Sequence, residues 1–484
     1  MYDNPERNLS SLSDFYEFTM ANAYFNNGMK DTIGIYDAFF RKVPDNGGFA
    51  IFCGLDEIIN YINNLHFSDD DIDYFKSKEM FSEEFLEYLR NFKFSGDIWS
   101  FPEGSVIFPS EPVITVRAPL IEAQILETMI LICMNHQSLI ATKTNRIVRA
   151  SEGRSVMEFG ARRAQGADAS VLGARAAFIA GAPSTSNTLS SMKYGVPASG
   201  TMAHSWIQSF DSELEAFMTY AKTYPENCTL LVDTYDTLKQ GIPNAIKVFK
   251  EVLEPKGYVG NIRIDSGDMA YLSKEARKLL DNAGFKDSKI VASNSLDEYK
   301  IQSLIKQNAK IDAYGVGERL ITAKSEPVFG GVYKLVAIKD KESERLKPKI
   351  KVSENVEKIT TPGFKEVYRI YDKESGKAEA DYITIMDEKI DEEKPLVIFD
   401  PNFTWKMKRL ENYKLRKMKV KVFENGKQIY KTPSLTKINE YCKKEVSSLW
   451  DEVKRFDQPH NYYVDLSHKL WDLKQKLILD VMGK

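Results

Sequence analysis

Four segments decide the fold: TLLVDTYDT (229–237), NIRIDSGD (261–268), KIVASNSLDE (289–298) and IDAYGVGERL (311–320). Each opens with a short β-prone apolar run and stops at a cluster of acids, hydroxyls, amides or glycines. SVMEFGARRAQG (155–166) repeats the arrangement upstream. The runs predict strands at Ser155–Glu158, Thr229–Val232, Asn261–Ile264, Lys289–Ala292 and Ile311–Tyr314, with helices such as Ile242–Glu251 and Leu272–Ala283 between them. Strands alternating with helices read as βα units of a parallel sheet. Active sites of such α/β folds lie at the C-terminal ends of the strands. Five strand ends bearing this chemistry fit a barrel better than an open sheet, where one switch point uses fewer.

Outward from this central region, about 142–338, the texture changes. Residues 1–141 are mixed, with helical periodicity at Leu55–Leu65 and Ser82–Phe92 and strands at Thr32–Phe40 and Ile107–Ile114. A broad apolar helix is expected from Leu120 to Leu139. Residues 339–484 are more charged, with the runs KDKESERLKPKIK (339–351) and DEKIDEEK (387–394) read as solvated faces. Strands are expected there at Lys351–Val352, Glu366–Ile370 and Tyr382–Ile385, and amphipathic helices over 443–459 and 468–482.

Composition excludes several classes. With 66 basic and 69 acidic residues among 484, the net charge is −3. General nucleic-acid or anionic-membrane binders carry a basic surplus, so neither partner is expected, although a local basic pocket remains open. The four cysteines, Cys53, Cys133, Cys228 and Cys442, form no CxxC pair, which fits small buried hydrophobes in a reducing compartment. No signal peptide is visible. The apolar run Ala118–Met134 is broken by Glu122, Gln124 and Glu127, so no membrane span is expected. A soluble, cytoplasmic, multidomain enzyme is the reading.

The chemistry concentrates in five places. His204 stands in GVPASGTMAHSW (195–206); a lone histidine is more often a satisfied polar residue than a catalyst, but this turn of small and hydroxyl residues is able to grip an anion and shifts that balance. No second histidine lies at metal-ligand spacing. Arg263 and Asp265 alternate on an extended segment and can point the same way, serving a phosphate or carboxylate and a ribose, or forming a buried salt bridge. Ser293-Asn294 and Gly315-Val316-Gly317 are turns whose amides suit phosphates, or simply tight turns. Phe159 and Arg162 offer a ring face and a guanidinium. Asp14 and Tyr16 precede a helix, as an N-cap and a core aromatic or as site residues. No G-x4-G-K-[ST] loop is present, which disfavours an ordinary P-loop ATPase.

Together LSDFYEFTMANAYF, FFRKVP, MEFGARRAQG, PSTSNTLSSMKYGVPASGTMAHS, LVDTYDT, IRIDSGD, ASNSLDE and GVGERLITAKSEPVFGGVYKL resemble nicotinate phosphoribosyltransferases, in the family's order over most of residues 8–338. KITTPGFKEVYRIY (358–371) extends the resemblance. It implies a type II phosphoribosyltransferase fold: an irregular α/β barrel over 142–338, and an α/β sandwich made of 1–141 and completed, with a helical extension, by 339–484. It implies that nicotinate reacts with phosphoribosyl pyrophosphate to give nicotinate mononucleotide and pyrophosphate, with ATP hydrolysed alongside and Mg2+ accompanying the pyrophosphate. It implies a homodimer with the active site at the subunit boundary. Position by position, His204 matches the transiently phosphorylated histidine, and Tyr16 and Phe159 the aromatics that sandwich the pyridine ring. Thr201 and Arg263 match residues near the nicotinate carboxylate, and Asp265 the ribose carboxylate. Arg162, Asn294, Gly315 and Gly317 fall on the phosphate side, with Arg41 and Lys42 reaching in from the neighbouring subunit. Ser186 lies where the related nicotinamide enzymes use an aspartate, and an acid there would repel a carboxylate. Glu318 departs from the threonine usual after the GxG turn. The competing readings are the same fold serving nicotinamide or quinolinate, and a non-catalytic metabolite-binding relative.

Overall fold

The computed structural model describes residues 7–339, 345–355 and 358–483 and divides into two compact units, Met1–Leu139 with Val328–Lys484, and Ile140–Pro327. The charged run 339–351 lies partly outside the described residues.

In the second unit the five apolar runs become strands β1 (Ser155–Glu158), β2 (Thr229–Leu231), β3 (Asn261–Ile264), β4 (Ile290–Ser293) and β5 (Ala313–Val316). They pair in parallel in the order β1-β5-β4-β3-β2. Two single bridges carry the ladder beyond β1, from Glu158 to Thr185 and from Thr185 to Ala198, both parallel. The paired order therefore has two ends, one at Ala198 and one at β2. Leu230, Leu231, Ile262, Ile264 and Ile290 pack with Phe217, Val248, Phe249 and Leu280 from the intervening helices. Burying each such side chain stabilises by about 1.5–3 kcal/mol. Helix starts are set locally: Asp268 accepts from the Tyr271 N–H at 3.0 Å and Asp297 from the Lys300 N–H at 2.8 Å. These caps fix where each strand-end loop stops.

In the first unit a seven-stranded antiparallel sheet runs Leu346–Pro348, Gly331–Lys339, Ile33–Phe40, Ile114–Pro119, Asp97–Ser100, Val420–Glu424, Lys427–Gln428. Residues from both ends of the chain thus share one sheet. A four-stranded sheet orders Tyr413–Lys417, Lys365–Asp372, Ala378–Ile385 and Tyr463–Leu466. Arg369, fully buried, is bidentate to Asp381 at 2.8 and 2.6 Å, reaches Glu445 at 2.8 Å, and donates to the Val106 carbonyl at 2.9 Å.

Several expectations shift. Ile107–Ile114 is not one strand: Val106–Ile107 and Ile114–Pro119 flank a turn with Pro109, Pro112 and Ser110 at φ 70°. Lys351–Val352 is not a strand. The helix read over 443–459 spans Leu435–Ser448 instead. Ser434 caps its start, and Leu449 turns extended at ψ 149°, where the Lys377 ammonium binds the carbonyls of Ser447 and Leu449. The apolar helix expected over Leu120–Leu139 is Leu120–Ile125 followed by Glu127–Ala150. By length and composition Leu120–Ala150 could cross a membrane, despite its acids, but 67% of its most apolar window is buried within the protein.

Candidate active site

The C-terminal ends of the parallel strands carry the chemistry, and His204 sits where the two ends of the ladder are laced together. The loop from Ala198 holds Met202 and His204; the loop after β2 holds Asp233 and Thr234. His204 Nδ1 is 3.0 Å from the Thr234 hydroxyl, and Arg263 on β3 donates to the Met202 carbonyl at 2.7 Å. With Nδ1 engaged by Thr234, Nε2 faces Asp265 Oδ2 at 3.9 Å, and both side chains are little more than a third exposed. An imidazole oriented through one nitrogen presents the other as its reactive atom.

Asp265 is itself positioned. Its N–H donates to Asp233 Oδ2 at 2.8 Å, the Ser266 hydroxyl donates to the same oxygen at 2.6 Å, and the Ser293 hydroxyl from β4 bonds to Asp265 Oδ1. Asp233 Oδ1 is buried and has no partner among the described residues. Burial pushes the Arg263 guanidinium below its ordinary pKa, opposed by Asp265 and Asp233. Its Nε and the Thr201 hydroxyl are also buried without partners, so donors remain for a ligand.

A second cluster gathers around β1 and β5. Gly315 gives the Phe159 ring its seat: a Cβ at 315 would meet ring carbons at 2.5 and 2.6 Å. The Phe159 N–H donates to the Val316 carbonyl at 2.8 Å. The preceding residue, Glu158, is buried and accepts from the Gly160 N–H and the Thr185 hydroxyl. Its carbonyl accepts from the Ser186 N–H at 2.9 Å, so one residue sets both the ring turn and the Ser186 loop. Burial raises the Glu158 carboxyl above its ordinary pKa, against the pull of those two bonds. Asn294 and Ser295 after β4 adopt φ of 89° and 51°, a turn stabilised by a 3.0 Å side-chain bond between them. Arg162 stands exposed in a short turn, near enough to lower the pKa of Arg263 further.

Glu318 is accommodated: its carboxylate pairs with Lys324 at 2.6 Å, which lowers its pKa, while Arg319 pairs with Asp297. The structure thus brings Phe159, Arg162, Ser186, Thr201, His204, Arg263, Asp265, Asn294, Gly315 and Gly317 into one unit. Tyr16, Arg41 and Lys42 belong to the other. Tyr16 is the second residue of the helix Phe15–Asn26, whose N-cap, Asp14, makes no side-chain capping bond. Burial and the carboxylates of Glu127, Glu17 and Asp14 raise its phenol pKa. Sequence reasoning missed Asp233, Thr234 and Glu158. The signal for the first two was the DTYDT cluster; for Glu158 it was an acid closing an otherwise apolar strand.

Family models described as the nicotinate phosphoribosyltransferase N-terminal domain, the nicotinate phosphoribosyltransferase family and the nicotinate phosphoribosyltransferase C-terminal domain match residues 12–135, 154–381 and 364–474. A nicotinate phosphoribosyltransferase from Bacillus subtilis is 43% identical over 100% of this chain and 98% of its own length. One from Caenorhabditis elegans is 34% identical over 97% of this chain and 93% of its own. Among solved structures, human nicotinic acid phosphoribosyltransferase superposes with a TM-score of 0.85 at 26% identity, covering 96% of this chain and 99% of that one.

Proposed function

This chain belongs to the nicotinate phosphoribosyltransferase family, and from that premise we propose that it joins nicotinate to phosphoribosyl pyrophosphate in an ATP-coupled reaction that opens NAD synthesis from nicotinate. The observation that carries the coupled reading is His204, held by Thr234 through Nδ1 with Nε2 turned toward Asp265. ATP transfers its γ-phosphoryl group to the imidazole and leaves as ADP; water later takes that phosphoryl group as phosphate. This accounts for ATP use without a P-loop.

Transfer at the anomeric carbon passes through a cation-like transition state, so the site must stabilise a departing pyrophosphate and orient an already nucleophilic ring nitrogen. Phe159 offers its ring face to the pyridine ring, and Arg263 with Thr201 binds the carboxylate through their unpartnered donors. The uncharged Ser186 favours nicotinate over nicotinamide. Asp265 holds the ribose, and Arg162 with the Asn294, Gly315 and Gly317 turns takes the phosphates. Arg41 and Lys42 serve the phosphates of a second copy in a homodimer. Mg2+ suits this donor set: bound with phosphates it needs only one or two protein carboxylates, and Asp233, with one buried oxygen unpartnered, and Asp265 would hold it. When bound it neutralises charge on the leaving group. Four buried free cysteines fit a reducing, cytoplasmic setting.

The test is product formation with nicotinate, nicotinamide and quinolinate offered together with phosphoribosyl pyrophosphate. Nicotinate mononucleotide is the expected main product. Preference for either other pyridine overturns the specificity reading, and no mononucleotide from any of them overturns the activity.

A further inference from the structure

His204 and Thr234 come from different segments of the second unit, and the two helices that follow them are joined. The short helix His204–Gln208 is pinned to the next one, Glu213–Thr223. The Trp206 indole N–H donates to the Ala216 carbonyl at 3.3 Å, and its ring packs edge-on against Phe210 at 4.8 Å and Tyr220 at 6.1 Å. On the other side, the chain after Thr234 turns at Asp236, whose carboxylate accepts from the Leu238 and Lys239 N–H groups at 3.2 and 2.9 Å. It comes back onto the strand at Gly241, where a Cβ would meet the Val232 carbonyl oxygen at 1.9 Å. The helix Ile242–Val248 therefore starts against the residue before Asp233. Phe217 and Ile207 share a core with Ile242 and Val248.

Glu213 is the polar link between these two arms. It opens its helix, a position where an acid ordinarily stays in water and favours the helix N-terminus. Here Ser212 supplies the cap, accepting from the Glu215 N–H at 3.2 Å, and Glu213 is turned inward and only 1% exposed. Its Oε2 accepts from the Asn244 amide at 2.9 Å, on the helix after Thr234. Its Oε1 is buried without a partner among the described residues, as is Oδ1 of Asp233. Burial raises the Glu213 carboxyl above its ordinary pKa; the Asn244 bond opposes this and the charge of Asp233 adds to it. A buried acid in the field of a second acid is an unfavourable way to join two helices that already share an apolar core. What the acid adds is direction: a hydrogen bond fixes one helix on the other at one register, which apolar contact does not.

We propose that Glu213 is a positioning residue of the ATP-coupled step: through Asn244 it fixes the helix after His204 on the helix after Thr234, and so holds the imidazole with Nδ1 on the Thr234 hydroxyl. The inference rests on the functional reading above, in which His204 receives the phosphoryl group. Glu213 touches no reacting atom and acts only through the two segments it ties.

The experiment measures mononucleotide formation with and without ATP in the full chain, as wild type, Glu213→Leu, Glu213→Gln and Asn244→Ala. The readout is the ratio of the two rates. Leucine and alanine remove the bond from its two ends, whereas glutamine keeps a carbonyl oxygen for the Asn244 amide. The ratio is expected to fall about fivefold or more in Glu213→Leu and Asn244→Ala, the weight of one hydrogen bond, and to stay near the wild-type value in Glu213→Gln. A merely structural link would lower both rates together and leave the ratio alone. An unchanged ratio in Glu213→Leu and Asn244→Ala overturns the proposal, as does an equal fall in Glu213→Gln. Asn244 is only half-buried, so Asn244→Ala decides the matter if Glu213→Leu does not fold. A wild type indifferent to ATP overturns the coupled reading and this inference with it; a wild type stimulated by ATP, with the same stimulation in the variants, overturns this inference alone.

Discussion

Replacing Thr234 by Val removes one hydroxyl and keeps the shape of the side chain. In the structure that hydroxyl is the partner of His204 Nδ1, at 3.0 Å. Without it the imidazole can turn about its side-chain bonds and Nε2 no longer faces Asp265, 3.9 Å away. A net hydrogen bond of this kind is worth about 1 kcal/mol, or about fivefold in the population of the oriented ring. Thr234 is only half-buried, so the fold loses little. The expected outcome is specific: ATP-stimulated mononucleotide formation falls about fivefold or more, while transfer measured without ATP is unchanged. The assay follows mononucleotide and ADP in parallel over a range of ATP concentrations. Full ATP stimulation in Thr234→Val, or an equal fall in the rates with and without ATP, refutes the reasoning, because either result means the hydroxyl does not orient a phosphoryl acceptor.

Three further outcomes follow from other contacts. Glu158→Gln keeps size but puts an NH2 donor where one of two accepting oxygens stood, so the bond from the Gly160 N–H or that from the Thr185 hydroxyl is lost or reversed; KM for nicotinate should rise about tenfold with kcat changed less, and unaltered KM would show that the Phe159 turn does not depend on it. Arg369→Met leaves Asp381 and Glu445 without their buried partner and should cost about 3–5 kcal/mol of stability, read as a lower urea midpoint; an unchanged midpoint would remove that network from the account. Glu17 is buried, accepts from Thr128 at 2.5 Å, and is held by burial at a pKa of about 7, above its ordinary 4.5. The unfolded chain ionises it first as pH rises, so its contribution is full below about 4.5 and lost as pH rises through 7. The melting temperature of Glu17→Gln relative to wild type should therefore climb between pH 4.5 and 7.5, and a flat difference would contradict the assignment.

Much of the second unit was legible because its signals are local. Each β run and the polar cluster after it occupy no more than a dozen consecutive residues, and the strands fall within about two residues of where the runs place them. His204, Arg263 and Asp265 were readable as candidates because histidines are few and the RIDSGD segment alternates. What joins them was not readable: the Thr234 and Met202 contacts cross from one end of the ladder to the other. Glu158 and Asp233 stayed hidden because a buried acid whose partners are backbone N–H groups and hydroxyls leaves no charge pattern in the chain. The first unit was less legible still, since Ile33–Phe40 pairs with Gly331–Lys339 and nothing in either strand names the other. Buried loops such as Ile107–Ile114 mimic strands in composition, and only Pro109 and Pro112 betray the turn.

The most direct measurement of the central claim is the joint yield of nicotinate mononucleotide and ADP from one reaction containing nicotinate, phosphoribosyl pyrophosphate, ATP and Mg2+, run with wild type and His204→Ala. The account predicts that ATP stimulates mononucleotide formation and that ADP accumulates in step with it in wild type, and that His204→Ala loses the ADP and the stimulation together. ADP formation that persists in His204→Ala, or mononucleotide formation indifferent to ATP in wild type, contradicts it.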